Sequence, residues 1–268
     1  MKRIFTVLLL LVLLVSLVGC TAKTEESTLD KDVIRVGMEL KYPPFETKSA
    51  DGQPEGASVM LANALGEYLG KTIEIVDTPY ASLIPSLESG SIDIIISSMT
   101  ITEEREKIVD FSDPYTTSQL MMLVHKDSVV KSVEDLNDSA VIIASKTGTI
   151  GALWAASNAP NATIKNIDEE SSAVLEVAQG KADVFIYDPL SIIRHNENYP
   201  DTTIALLEPL PNTKGWGIAL RKGEEDFRIK LNEFIKTAKE DGTYDNIRDI
   251  YLKEKVKEFE NYGIEFFF

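Results

Sequence analysis

The segment Ser97-Ser98-Met99-Thr100-Ile101-Thr102-Glu103-Glu104-Arg105 gathers hydroxyls, backbone amides and one permanent cation at a single turn. It directly follows the apolar run Ile92-Asp93-Ile94-Ile95-Ile96, which reads as a buried strand. Arg105 falls near the start of the next helix. Free helix N–H groups and a guanidinium fork both favour negative charge there, so the predicted chemistry is capture of a small carboxylate. Taken alone, Arg105 stands in the charged run Glu103-Glu104-Arg105-Glu106-Lys107, a pattern that more often marks a solvated face. Thr102 is the residue type that caps a helix, and that role alone would account for it.

Catalytic alternatives find little support. His125 and His195 are the two histidines, and neither stands near a Ser, Cys or acidic cluster with catalytic spacing. Ser128-Val129-Val130-Lys131 and Lys146-Thr147-Gly148 formally match two serine β-lactamase elements, but the Ser-Asp-Asn element is missing. No His/Cys cluster suggests a metal, and no cofactor is predicted.

The elements that must position these residues alternate. Val33–Met38 reads as a strand and 40–56 as a Pro- and Gly-rich loop. Leu61, Ala64, Leu65 and Tyr68 recur at helical spacing up to Gly70. Thr72–Val76 is a strand and Ala81–Ser89 a short helix. Strands alternating with helices imply a mainly parallel α/β sheet. The pattern Gly90-Ser91-Ile92-Asp93 before one apolar run recurs as Gly180-Lys181-Ala182-Asp183 before another, 90 residues later, which suggests two similar lobes. Chain crossings between them fall near Tyr115–Gln119 and Leu210–Trp216, a natural hinge around a cleft. This divides the chain into lobe 1 (33–116 and 216–268) and lobe 2 (117–215). The tail after residue 254, with three terminal Phe, packs on the first lobe or is disordered.

The N-terminus reads as a processing segment. Lys2 and Arg3 precede an apolar run from Ile4 to Val18, too short for a mature membrane span, and Leu17-Val18-Gly19-Cys20 closes it. Residues 1–20 resemble a bacterial lipoprotein signal peptide, with Cys20 as the lipidated residue and 21–32 as a flexible tether. Without Lys2 and Arg3 the net charge of −16 becomes −18. Such a surface repels nucleic acid and anionic lipid, so neither is expected as a partner.

Read together, Tyr42-Pro43-Pro44-Phe45, Leu83-Ile84-Pro85-Ser86-Leu87, Thr100-Ile101-Thr102-Glu103-Glu104-Arg105 and Asp110-Phe111-Ser112-Asp113-Pro114-Tyr115 occur in order. They are followed by Gly148-Thr149, Asp183-Val184 with Asp188, and Asp241-Gly242-Thr243-Tyr244. Over about 33–254 the chain resembles the polar amino-acid-binding proteins of ABC importers, the family 3 solute-binding proteins. The resemblance implies a two-lobed α/β fold of the periplasmic-binding-protein type II, each lobe a mainly parallel sheet flanked by helices, joined by a two-segment hinge. It implies that Arg105 binds the α-carboxylate of a free amino acid, helped by Thr100 and by backbone N–H groups near Thr149 and Ile150. Asp188, with Ser98 and Thr100, is implied to hold the α-ammonium, and Ser97 lies beside them. Tyr42 and Tyr80 match the positions that sandwich the side chain, while Glu39 and Lys146 match those facing its tip. An acceptor opposite a donor suits an amide, so glutamine is expected first. Arginine, held by Glu39 between the two tyrosines with Lys146 pointing away, comes next, and the alternative is that Glu39 and Lys146 pair with each other.

The implied activity is capture outside the cytoplasm and delivery to ABC permease subunits, by a monomer anchored to the membrane through Cys20. The alternatives are a ligand-binding sensor or receptor domain, or an amino- or keto-acid lyase derived from the same fold with Glu39 at the ligand. The chain is expected not to be an enzyme.

Overall fold

The structure is a computed structural model and describes residues 27–117, 119–211, 214–266 and 268. The expected leader, its Cys20 and residues 21–26 lie outside the described residues.

The first sheet contains β1 (Val33–Met38), β4 (Thr72–Asp77), β5 (Ile94–Ile95), β6 (Asp110–Phe111) and β12 (Ala219–Leu220), in the order β4-β1-β5-β12-β6. β1 runs parallel to β4 from Val33↔Thr72 to Met38↔Asp77 and parallel to β5 at Val36↔Ile94. β12 alone is reversed, antiparallel to both β5 and β6. A small hairpin, β2 (Thr47–Lys48) with β3 (Pro54–Glu55), stands apart. The second sheet contains β7 (Met121–His125), β8 (Ile142–Lys146), β9 (Thr163–Ile167), β10 (Val184–Tyr187) and β11 (Thr203–Leu206), in the order β11-β7-β10-β8-β9. There the reversed strand is β7. In each lobe the reversed strand is the first one after the chain arrives from the other lobe.

Helices cover both faces of each sheet because successive strand residues alternate between two cores. Ile94 packs in a core with Leu61 and Leu65 of α1 (Ala57–Leu69), whereas Ile95 packs with Leu83 and Leu87 of α2 (Leu83–Glu88). In β7, Met122 and Val124 face Trp154 of α4 (Ile150–Asn158). Met121 and Leu123 face Val174 and Val177 of α5 (Glu170–Ala178) and Ile192 of α6 (Pro189–Asn198). Between α2 and α4 lies α3 (Glu103–Glu106), capped by the Thr102 hydroxyl on the Arg105 amide at 3.2 Å. The amphipathic α7 (Glu225–Glu240) buries Phe227, Leu231, Phe234, Ile235 and Ala238. After it come α8 (Thr243–Ile247), a π turn over Arg248–Leu252 and α9 (Lys253–Asn261).

The sequence echo has one structural cause in both lobes. Gly90 and Gly180 take left-handed φ values of 73° and 66°. Three residues on, Asp93 bonds the Arg35 amide of β1 at 2.9 Å, and Asp183 bonds the Ile142 amide of β8 at 2.8 Å. Each carboxylate stitches its helix-to-strand turn to the neighbouring parallel strand, β1 or β8. Asp93 is also paired with Lys31 and Arg35, which hold it down at about 2 although burial works against them.

The two crossings lie side by side. The Tyr115 amide donates to the Trp216 carbonyl at 2.9 Å, Trp216 returns the bond to Thr116 at 3.1 Å, and Leu210 donates to Leu120 at 2.8 Å. Gly215 permits this approach, since a Cβ there would stand 2.1 Å from the Thr116 carbonyl oxygen.

The N-terminal end of the described chain differs from expectation, and the C-terminal end takes one of its two expected forms. The tether was expected to run free to Asp32, yet Thr28 is fully buried and bonds Glu224 through its amide at 3.1 Å and its hydroxyl at 3.0 Å. The tail packs on the first lobe. Phe268 stacks on Tyr244 at 5.2 Å and lies 5.8 Å from Phe45, while Phe266 meets Phe259 edge-on at 5.0 Å.

Candidate ligand-binding cleft

The carboxyl ends of parallel strands from both sheets meet in the cleft. Glu39 follows β1, the Ser97–Thr100 turn follows β5, Lys146 ends β8 and Asp188 follows β10. This is where an open α/β sheet offers a crevice, because strand-to-helix loops diverge there and helix N-termini point inward. A cavity lies between the lobes. Glu39, Tyr42, Tyr80, Ser97, Ser98 and Thr100 line it from the first lobe, and Thr149, Ile150 and Asp188 from the second.

Arg105 is 4% exposed and has no carboxylate partner among the described residues. Its guanidinium donates to the Thr100 carbonyl, to the Gly148 carbonyl of the other lobe at 2.8 Å and to the Tyr80 hydroxyl at 3.3 Å. Its carbon lies 5.9 Å from the Tyr80 ring centre. It sits behind Tyr80, beside the cavity rather than on its wall. A buried cation met only by neutral acceptors retains most of its desolvation cost and is poised for an anion.

Asp188 carries the opposite charge on the opposite lobe. It caps α6, with Oδ1 accepting from the Ser191 amide at 3.0 Å and Pro189 at the first helical position. Its Oδ2 is buried without a well-formed hydrogen bond, though the Tyr42 hydroxyl stands close enough to favour its ionised form, and the Thr100 Oγ1 is likewise unpartnered. Burial first, and the Glu170 charge second, push the Asp188 carboxyl above the usual range. Glu170 is itself kept low, against its burial, by His195 at 2.7 Å and Arg194 at 2.6 Å.

Other expected site residues are brought together in arrangements that spacing did not disclose. Glu39 and Lys146, both buried, form an ion pair between the lobes. Tyr80 donates its amide to Glu39 at 3.3 Å, and the Lys146 ammonium lies 5.7 Å from its ring centre. Tyr42 stacks on Phe45 at 5.3 Å, with Tyr187 edge-on at 6.5 Å. The Thr149 hydroxyl is engaged by the Lys146 carbonyl at 2.7 Å, while Ile150 opens α4 onto the cavity. Ser97 accepts the Glu39 amide at 3.0 Å, and Ser98 donates to Glu46 at 3.1 Å. Ser98 has φ 48°, the one positive value at a non-glycine residue among those described, and that strain turns its hydroxyl inward.

Glu46, Gln119, Leu120, Tyr187 and Trp216 also line the cavity and were not foreseen. An acid in a Pro-rich loop reads as solvated, and residues on a crossing show no pattern, so only Tyr187, beside Asp188, carried a local signal. Among the described residues, no group of three or more His, Cys, Asp or Glu could hold a metal, and no helix is long and apolar enough to cross a membrane.

Residues 34–254 match the bacterial extracellular solute-binding proteins, family 3. The L-cystine-binding protein TcyJ of Escherichia coli (strain K12) is 31% identical over 216 residues, covering 80% of each chain. The ABC transporter glutamine-binding protein GlnH of Bacillus subtilis (strain 168) is 30% identical, covering 96% of this chain and all of its own. Among solved structures, an ancestral arginine-binding protein bound to arginine superposes with a TM-score of 0.74 at 32% identity, covering 83% of this chain and 99% of its own. An ancestral amino acid-binding protein described as a precursor of cyclohexadienyl dehydratase gives 0.72 at 36% identity, covering 84% and 99%. With its two lobes, its hinge and its cleft between opposed charges, the chain belongs to the family 3 bacterial extracellular solute-binding proteins.

Proposed function

We propose that this protein captures a free polar amino acid in its interlobe cleft and presents it to the permease of an ABC importer. One observation carries the reading. A buried guanidinium without an acid, Arg105, and a buried acid whose Oδ2 lacks a well-formed hydrogen bond, Asp188, stand on opposite lobes of one cleft. A zwitterion supplies both missing partners. Its carboxylate takes the Arg105 fork in place of backbone carbonyls, and its ammonium meets Asp188 Oδ2 with help from Thr100 Oγ1. Charge-assisted bonds of about 1.5–3 kcal/mol each then suffice for micromolar binding. Closure is driven by the ligand, because the two charges reach it only when the lobes approach.

The side-chain preference is less directly marked. Glu39 and Lys146 satisfy one another, so the amide match that put glutamine first lacks its free donor and acceptor. Glutamine-binding and arginine-binding relatives support either choice. Lipidation at Cys20 would keep a monomeric protein at the outer face of the membrane, close to the permease. No step of this reading requires catalysis, a cofactor or a metal.

The test is calorimetry against the common amino acids, with Arg105→Ala beside the native protein. Binding in the native protein and its loss by more than a hundredfold in a folded Arg105→Ala variant is expected. Equal affinity in the two proteins would refute the assignment.

A further inference from the structure

Glu46 is the acid of this cleft that neither the two poles of a zwitterion nor the Glu39–Lys146 pair accounts for. It is 1% exposed and lines the cavity. Its carboxyl accepts hydroxyls from Ser58 of α1 at 2.6 Å and from Ser98 and Ser97 at 3.1 and 3.5 Å. No Lys, Arg or His forms an ion pair with it among the described residues. Of the ionisable groups acting around it, Glu39 is engaged by Lys146, and Tyr115, on the first crossing, is kept neutral by burial.

With a neutral amino acid bound, the charges balance. Arg105 meets the carboxylate, Asp188 the ammonium, and Glu39 meets Lys146. A side chain that brings a further positive charge into this low-dielectric space leaves one cation without an acid. Glu46 can cancel that charge, provided it ionises as the ligand enters.

We propose that Glu46 lets the cleft accept a cationic amino acid: the added charge displaces the Glu46 proton to solvent, whereas a neutral amino acid leaves it in place. This rests on the amino-acid reading of the site and assigns the side-chain class within it. The geometry agrees with the acid's chemistry, since burial, against the three hydroxyls, holds its carboxyl protonated up to about 8. The sign follows. A proton held by the free protein and lost from the complex makes affinity rise with pH below that value and level off above it.

The probes are L-arginine and L-glutamine, titrated near pH 7 in two buffers of different ionisation enthalpy to count protons. Arginine is expected to release close to one proton more than glutamine, and the Asp188 contribution cancels between them. Arginine affinity should gain up to tenfold per pH unit below the plateau relative to glutamine. In Glu46→Gln the difference in proton count should vanish. Ser58→Ala removes one hydroxyl from Glu46 without touching the cavity wall, and should move the plateau to higher pH. Equal proton counts for the two ligands, or an excess that survives Glu46→Gln, would overturn the assignment. So would failure of arginine to bind where another amino acid does, and the site reading would then stand. If no amino acid binds, both fall.

Discussion

Replacing Lys146 by Met asks whether one ion pair holds the cleft shut. Lys146 lies on one lobe at 4% exposure and Glu39 on the other at 7%, 107 residues apart in sequence. Without the ammonium, a closed cleft would bury the Glu39 carboxylate with the Tyr80 amide, at 3.3 Å, as its remaining recorded hydrogen-bond partner. Breaking a buried pair in this way costs about 3–5 kcal/mol. Opening returns Glu39 to water, so the penalty falls on the closed form and not on the fold of either lobe. Because the Tyr80 amide retains part of the stabilisation, the lower end applies, which is roughly a hundredfold shift toward the open form.

Because the free protein is open and the ligand closes it, calorimetry should report a ligand affinity weaker by about a hundredfold. Thermal unfolding should stay within about 1 kcal/mol of native, since surface lobes keep their own cores. The double variant Glu39→Gln with Lys146→Met removes the charge as well as its partner and should recover most of the closure. Unchanged affinity in Lys146→Met would refute this reasoning, and so would a double variant as weak as the single one.

Asp93 makes a prediction about acid. Its folded value of about 2 lies below the ordinary 3.8, so the unfolded chain takes the proton first. Its contribution is present above pH 3.8 and lost as pH falls toward 2; Asp93→Asn should cost about 2 kcal/mol near neutral pH in chemical denaturation and flatten that acid limb. At the hinge, Gly215→Ala forces a Cβ to within 2.1 Å of the Thr116 carbonyl oxygen. About 1–3 kcal/mol of destabilisation is expected by thermal unfolding, and native stability would show that the crossings are free to separate.

Features fixed within a few residues were legible in the sequence. Thr102 caps its helix, and Gly70 ends another in the left-handed conformation. Periodicity located α1, and the repeated Gly-x-x-Asp marked equivalent turns in both lobes. Strand ends were less legible. The run Ile92–Ile96 forms a strand only over Ile94–Ile95, with the Asp93 and Ile96 amides bonding the Arg35 and Gly37 carbonyls of β1 on either side. The two-residue strands β6 and β12 are too short to show any alternation.

The sequence by itself determined the alternation of strands and helices, the cleft-edge position of the Ser97–Arg105 turn, and the family. Each depends on neighbours within about a helical turn or on patterns of burial that repeat along the chain. Only the tertiary structure decided that Glu39 closes on Lys146, that Arg105 rests on Gly148 across the cleft, and that Glu46 is buried among serines without a cation. Those partners lie 12 to 107 residues away. The energy of a buried charge depends on what faces it after the strands have set their register and the two crossings have brought the lobes together, and no local pattern encodes that.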